Sequence, residues 1–148
     1  MLRDVVKSIR KINMEKLAFQ SVMDHKEEAI DLNTQEQLFE QGIDSKGRDL
    51  GEYTPFTVEI KKQKGQKTDF ITLKDEGDFY DGFYVKSRKF PVIFGSKDSK
   101  TNKIVQRFGT DVFGLTKSSV KELNEEYVRE DIQEKFKKNI SEAFSLLQ

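Results

Sequence analysis

The sharpest catalytic candidates in this chain are four acid-x-lysine triplets, at Asp24-His25-Lys26, Asp44-Ser45-Lys46, Glu59-Ile60-Lys61 and Asp98-Ser99-Lys100. In metal-dependent nucleases such a carboxylate holds magnesium and the lysine steadies the attacking water. Val58-Glu59-Ile60-Lys61, with Asp44 or Asp49 upstream, comes nearest to that pattern. Chance accounts for it. With 26 acids and 20 lysines in 148 positions, about 3.5 such triplets arise at random, and four occur. Asp44 to Asp49 imitates a calcium loop. It puts Lys46 and Arg48 at ligand positions and Asp49 where the loop needs glycine, and two cations there repel the ion. Asp75, Glu76, Asp78 and Asp81 form an acidic cluster of the type hard cations bind, but without an evident base or supporting partner. His25 lies among Asp24, Lys26, Glu27 and Glu28 and reads as a solvated surface residue, so a hydrolase triad has no support. Gly47 and Gly51 fit neither phosphate-cradling glycine pattern. No catalytic, cofactor-binding or metal-binding residue is expected, no cofactor is implied, and the chain is not expected to be an enzyme.

The composition bounds what could position such residues. A chain of 148 residues is one domain's worth, expected over 1–148. Apolar and charged residues each make up 35%, against typical values of about 45–50% and 25%, so the core is thin. The absence of cysteine excludes disulfides and thiolate zinc sites. Apolar runs are too short for a membrane helix, and MLRDVVKSIRKI is too interrupted for a secretory signal. A soluble, intracellularly made, folded protein with no membrane partner is expected. The net charge is zero, but residues 1–60 carry −4, 61–107 carry +6 and 108–148 carry −2. The basic middle reads either as lysines that solvate loops or as a surface for an anionic partner, phosphate or an acidic face of another copy.

Apolar periodicity predicts helices over 2–24 and 27–41, the second ending at Gly42, with a break between them. GIDSKGRDLGEYTP reads as an irregular loop, and Thr54-Pro55 as the cap and first residue of a short helix over 55–64. Crowded aromatic and β-branched residues predict strands near 82–88 and 91–96, with a further one near 68–73. A helix over 98–108 ends at Gly109. A last helix starts at Thr116 or at the capping box Ser119-x-x-Glu122, with Ile132, Phe136, Ile140 and Phe144 stepping by four along its stripe. Phe136 and Ile140 are expected in the core. A helix over 116–147 would span about 48 Å, against roughly 40 Å for a compact body of this size, so it must bend or overhang a neighbouring subunit. The expected class is α+β: a small antiparallel sheet packed by N-terminal helices (1–41) and a long C-terminal helix (110–148). A glycine-rich loop with a short helix (42–65) and the sheet with a short helix (66–109) lie between them.

Gly42-Ile43-Asp44-Ser45-Lys46-Gly47 leads to Leu50-Gly51-Glu52-Tyr53-Thr54; Lys61 follows, then Leu73-Lys74-Asp75-Glu76-Gly77-Asp78-Phe79, and later Phe113-Gly114-Leu115-Thr116. Over roughly residues 35–145 this order resembles the tailed-phage virion morphogenesis proteins, the tail-completion or neck family that joins head to tail. Glu76 stands where that family has threonine. The resemblance implies a structural virion component, made in the host cytoplasm, that sits at the head–tail interface as a homo-oligomeric ring. It implies six copies by preference, or twelve, with portal or connector and tail proteins as neighbours. The residues that carry it are Gly42, Asp44, Gly47, Tyr53, Thr54, Lys61, Leu73, Gly77, Phe79, Gly114 and Leu115. Lys62, Lys64 and Lys67 are expected on an exposed loop, facing an acidic neighbour or, weakly and non-specifically, DNA in the channel. The rival function is a DNA-binding or nuclease-like accessory protein that uses the basic segment 61–107.

Overall fold

The computed structural model describes residues 1–147. Helices α1 (Leu2–Arg10) and α2 (Met14–Asp24) open the chain. The sequence stripe joins them into one helix; the structure breaks it, because Asn13 is extended and its side chain accepts from the Lys16 N–H at 3.1 Å to cap α2. Next, α3 (Lys26–Asp31) runs directly into a π-helix (Leu32–Gln41). Gly42 ends it in the left-handed conformation. The Phe70 ring lies 2.3 Å from where a β-carbon would stand on Gly42, so only glycine fits there.

After the loop, Thr54 caps α4 (Pro55–Gln63) as expected, its hydroxyl accepting from the Thr57 N–H. The strand expected near 68–73 is absent. Leu73 has φ +60, which a strand cannot contain. The backbone donors of Ile71 and Thr72 go instead to Gly51 O and the Tyr53 hydroxyl. A single turn, α5 (Asp78–Asp81), precedes β1 (Phe83–Lys86) and β2 (Ile93–Ser96), which pair antiparallel with Phe83 opposite Ser96. Helix α6 (Thr101–Phe108) follows, shorter than the expected 98–108 because Asp98 accepts from the Lys100 and Thr101 N–H groups and so lies before its first turn. The last helical run comprises α7 (Lys117–Leu123), a π-helical segment (Asn124–Val128) and α8 (Arg129–Ser145). Thr116 is its cap, accepting from the Ser119 N–H at 3.1 Å, rather than Ser119. The α+β class holds: a mainly helical chain with one two-stranded antiparallel sheet and a long C-terminal helix.

The chain forms two compact units, Met1–Lys26 with Lys121–Gln148, and Glu27–Val120. The larger is built on Leu38, Phe79, Tyr80, Phe83 and Val112. Its aromatic rings meet edge-on or tilted, Phe79 to Phe83 at 5.1 Å and Phe83 to Phe113 at 5.2 Å, the geometry ring quadrupoles favour. In the other unit, α1 and α2 both pack on α8, burying Val5, Leu17, Val128 and Ala143. Phe136 is 38% exposed and Ile140 only half-buried, contrary to their expected place in the core. A row that steps by four drifts about 40° around the helix at each step and leaves a fixed contact face. The face that is covered runs through Val128, Ile132, Lys135, Asn139 and Ala143.

His25 is half-buried rather than solvated, 5.4 Å from the Tyr127 ring, with Asp131 at 3.9 Å. Lys135 bridges Asp131 and Asp24 at 2.5 and 2.8 Å. The hydrogen bond from Lys135 holds the Asp131 carboxyl below the usual carboxylate range against the opposing effect of burial.

Two outcomes follow from this packing. Leu38 is 0% exposed, so Leu38→Ala should cost about 2–5 kcal/mol in denaturant unfolding, while Phe136→Ala should cost well under that; equal losses would contradict the packing. Asp131 titrates lower folded than unfolded, so its bonds stabilise above about pH 4 and are lost as pH falls through the folded value. Asp131→Asn should therefore cost about 1–2 kcal/mol near neutrality and progressively less as the pH is lowered below about 4, a convergence that thermal melts at neutral and acid pH will show or refute.

Candidate functional site

Within the larger unit, the end of α4, the 71–75 turn and α6 enclose a cleft of about 430 Å³. Ile71, Leu73, Ile104 and Phe108 make its floor, and Tyr53 one wall. Its polar lining is cationic: Lys61, Lys74, Lys100, Lys103 and Arg107, against the single carboxylate of Asp75.

Lys61 is the anchor. It falls in the last turn of α4, where a cation favours the helix C-terminus, and it is 7% exposed. Its ammonium donates to Lys74 O at 2.9 Å and to Gln66 Oε1 at 3.3 Å, and it stands 4.7 Å from the Tyr53 ring centroid. Among the described residues no carboxylate pairs with it; Asp75 pairs with Lys64 at 3.0 Å. Hydrogen bonds from Lys64 and Gln66 hold the Asp75 carboxyl below its ordinary value. The wall is fixed by Tyr53, whose hydroxyl accepts from the Thr72 N–H at 3.0 Å and lies 3.3 Å from the Thr72 hydroxyl. Tyr80 donates to Thr72 O, and burial pushes its phenol far above the ordinary value.

Lys74 and Arg107 are held by rings: the Lys74 ammonium is 4.8 Å from the Phe39 centroid and the Arg107 guanidinium 4.8 Å from that of Phe108. Lys100 and Lys103 have no hydrogen bond or ion pair from their side chains among the described residues. A cleft with this lining can bind an anion that also carries apolar surface. It holds no nucleophile–base pair, and among the described residues no cluster of three or more histidines or acids could hold a metal ion.

The residues singled out from the sequence divide between three places. Tyr53, Lys61 and Leu73 line the cleft. Phe79 is in the aromatic core, with Gly77 two residues before it at the cap position of α5. Gly42, Asp44, Gly47 and Gly114 belong to a loop junction. There Asp44 is buried and accepts from the Lys46 and Arg48 N–H groups and from the Arg48 guanidinium, which also reaches Asp111 at 2.7 Å. Leu115 is half-buried beside Gly114, and Thr54 caps α4. The three lysines expected on an exposed loop are placed differently. Lys62 is exposed on α4 and Lys64 pairs with Asp75. Lys67 is half-buried, donating to Phe39 O at 3.0 Å with its ammonium 4.4 Å from the Phe70 centroid. Sequence reading passed over Lys100, Lys103 and Arg107 as site residues, although their spacing of three and four on a predicted helix marks one face.

No helix among the described residues is long and apolar enough to cross a membrane. Comparison with protein-family models, with curated proteins and with solved structures finds no match to this chain.

The Tyr53 hydroxyl supplies the partner of a buried N–H, so Tyr53→Phe should cost about 1–3 kcal/mol in urea unfolding while keeping the ring over Lys61. An unchanged midpoint would show that the Thr72 amide finds another acceptor.

Proposed function

We propose that this chain is a non-catalytic assembly protein of a tailed-phage virion, acting as a ring subunit at the junction of head and tail. The observation that carries the reading is how the resemblance-bearing polar residues are used. Asp44 is spent on its own loop, Tyr53 on Thr72, Thr54 on its helix cap, and Lys61 on a carbonyl, an amide and a ring. Residues engaged in this way build a scaffold and leave no reacting group among themselves. What the scaffold presents is charged surface, the material of a subunit contact.

The ring is proposed to hold six copies, with twelve as the alternative, between portal or connector proteins and the tail. A chain with 35% apolar residues has little left for an obligate interface after filling its own core, since such interfaces bury about 2,000 Å² or more. Subunits of this kind associate weakly alone and close into a ring when a template holds them side by side, through effective concentration. Weak contact with DNA in the channel fits the basic segment.

Mass spectrometry of gradient-purified particles, produced from the genome that encodes the chain, checks this reading. The protein is expected in finished particles at six or twelve copies relative to the portal. Particles that lack it, or a chain found only in the soluble lysate, would overturn the assignment.

A further inference from the structure

We infer that the basic cleft of one copy receives the acidic face of the C-terminal helix of a second copy. Two rows of charge carry this. On the cleft rim, Lys103 and Arg107 stand about one helical turn apart on α6, and Lys100 directly precedes that helix. On the C-terminal helical run, Glu122, Glu126, Glu130 and Glu134 recur every four residues in a row that drifts around the helix, so Glu126 and Glu130, one turn apart, are the pair placed to meet Lys103 and Arg107 together. Two of the three acids off that row are paired within the chain: Glu125 with Lys121 and Asp131 with Lys135. The four glutamates in the row have no ion pair among the described residues. Like charges four apart on a helix destabilise it, so the row is a cost that the isolated chain leaves uncompensated.

The cleft has the converse surplus. Its five cations face one carboxylate, which Lys64 already holds, and the buried Lys61 ammonium has only neutral partners. Its floor then selects among anions. A duplex backbone would satisfy the charges and leave Ile71, Leu73, Ile104 and Phe108 without an apolar counterpart. The acidic helix brings both, because Tyr127, next to Glu126, keeps 36% of its surface exposed. A contact between two different surfaces of the same chain is head-to-tail, the type that closes into rings. The inference thus deepens the ring reading, yet it can fail while the chain is still found in particles.

Charge reversal tests it with the full chain. Sedimentation velocity in low salt is run on wild type, on Lys103→Glu with Arg107→Glu, on Glu126→Lys with Glu130→Lys, and on the two variants mixed. Circular dichroism melts establish that each variant is folded. Wild type is expected to associate weakly, and each double variant alone at least about tenfold more weakly. The equimolar mixture should return to within about threefold of wild type, since each reversed surface then meets an opposite one. The inference is overturned by a mixture no more associated than its components, by variants that associate like wild type, or by wild type still monomeric at about 1 mM. Salt-sensitive binding of duplex DNA that Lys103→Glu with Arg107→Glu abolishes, with no association between copies, would assign the cleft to nucleic acid and overturn it as well.

Discussion

Gly114 is held at both its N–H and its C=O by two side-chain amides that project from one π-helix, and the larger unit is organised around that grip. Asn33 accepts from the Gly114 N–H at 2.7 Å and donates to Val112 O at 3.0 Å. Gln37, four residues on, donates to Gly114 O and accepts from the Thr116 N–H, both at 2.9 Å. Both amides are fully buried. A buried amide without partners costs a few kcal/mol, so such a network favours one arrangement of the chain and penalises partial ones. Holding 112–116 in this way places Asp111, whose carbonyl accepts from the Ser45 N–H and whose carboxylate takes Arg48. That fixes the Asp44 loop, and through Leu50 N–H to Gly42 O and Ile71 N–H to Gly51 O it sets the turn that floors the cleft.

The π-helix belongs to the same constraint. Its wider turn presents Asn33, Thr34, Gln37 and Leu38 to one buried side, where a regular helix would spread four such positions further around its axis. Leu38 enters the aromatic core while Asn33 and Gln37 reach the 112–116 segment. Apolar packing and the polar grip are therefore made by neighbouring side chains of a single element. A change in the register of this helix would disturb both at once.

This also explains what was legible in the sequence. Ends governed by local chemistry were readable: Gly42 in the left-handed conformation, the cap at Thr54 before Pro55, the stop at Gly109. The two strands were readable from composition, because β1 and β2 are adjacent in sequence and need only each other. The π-helix was not, since three of its most buried residues are polar and dilute the apolar stripe that marks an inward face. The expected strand at 68–73 failed for a non-local reason: its donors are taken by Gly51 and Tyr53, about twenty residues upstream. Half of the site was legible. Lys61 and Tyr53 came from motif order, but the other wall needed the tertiary approach of α6, which no local pattern records.

The basic segment shows why counting charge was not enough to find a surface. The fold sorts its cations by what holds them. Lys64 meets a carboxylate and is neutralised. Lys61, Lys67, Lys74 and Arg107 are instead held by carbonyl oxygens and ring faces. A carboxylate partner fixes a cation and cancels its field; a carbonyl or an aromatic face fixes it and cancels little, because those partners carry only dipoles and quadrupoles. Burial under such partners costs desolvation and is tolerated because the donors are satisfied. At Lys61 and Lys74 the cleft therefore keeps a positive potential on side chains that are already ordered. An anion that reaches these two meets charges whose rotamer entropy was lost on folding rather than on binding, and binding to ordered groups is the less costly kind.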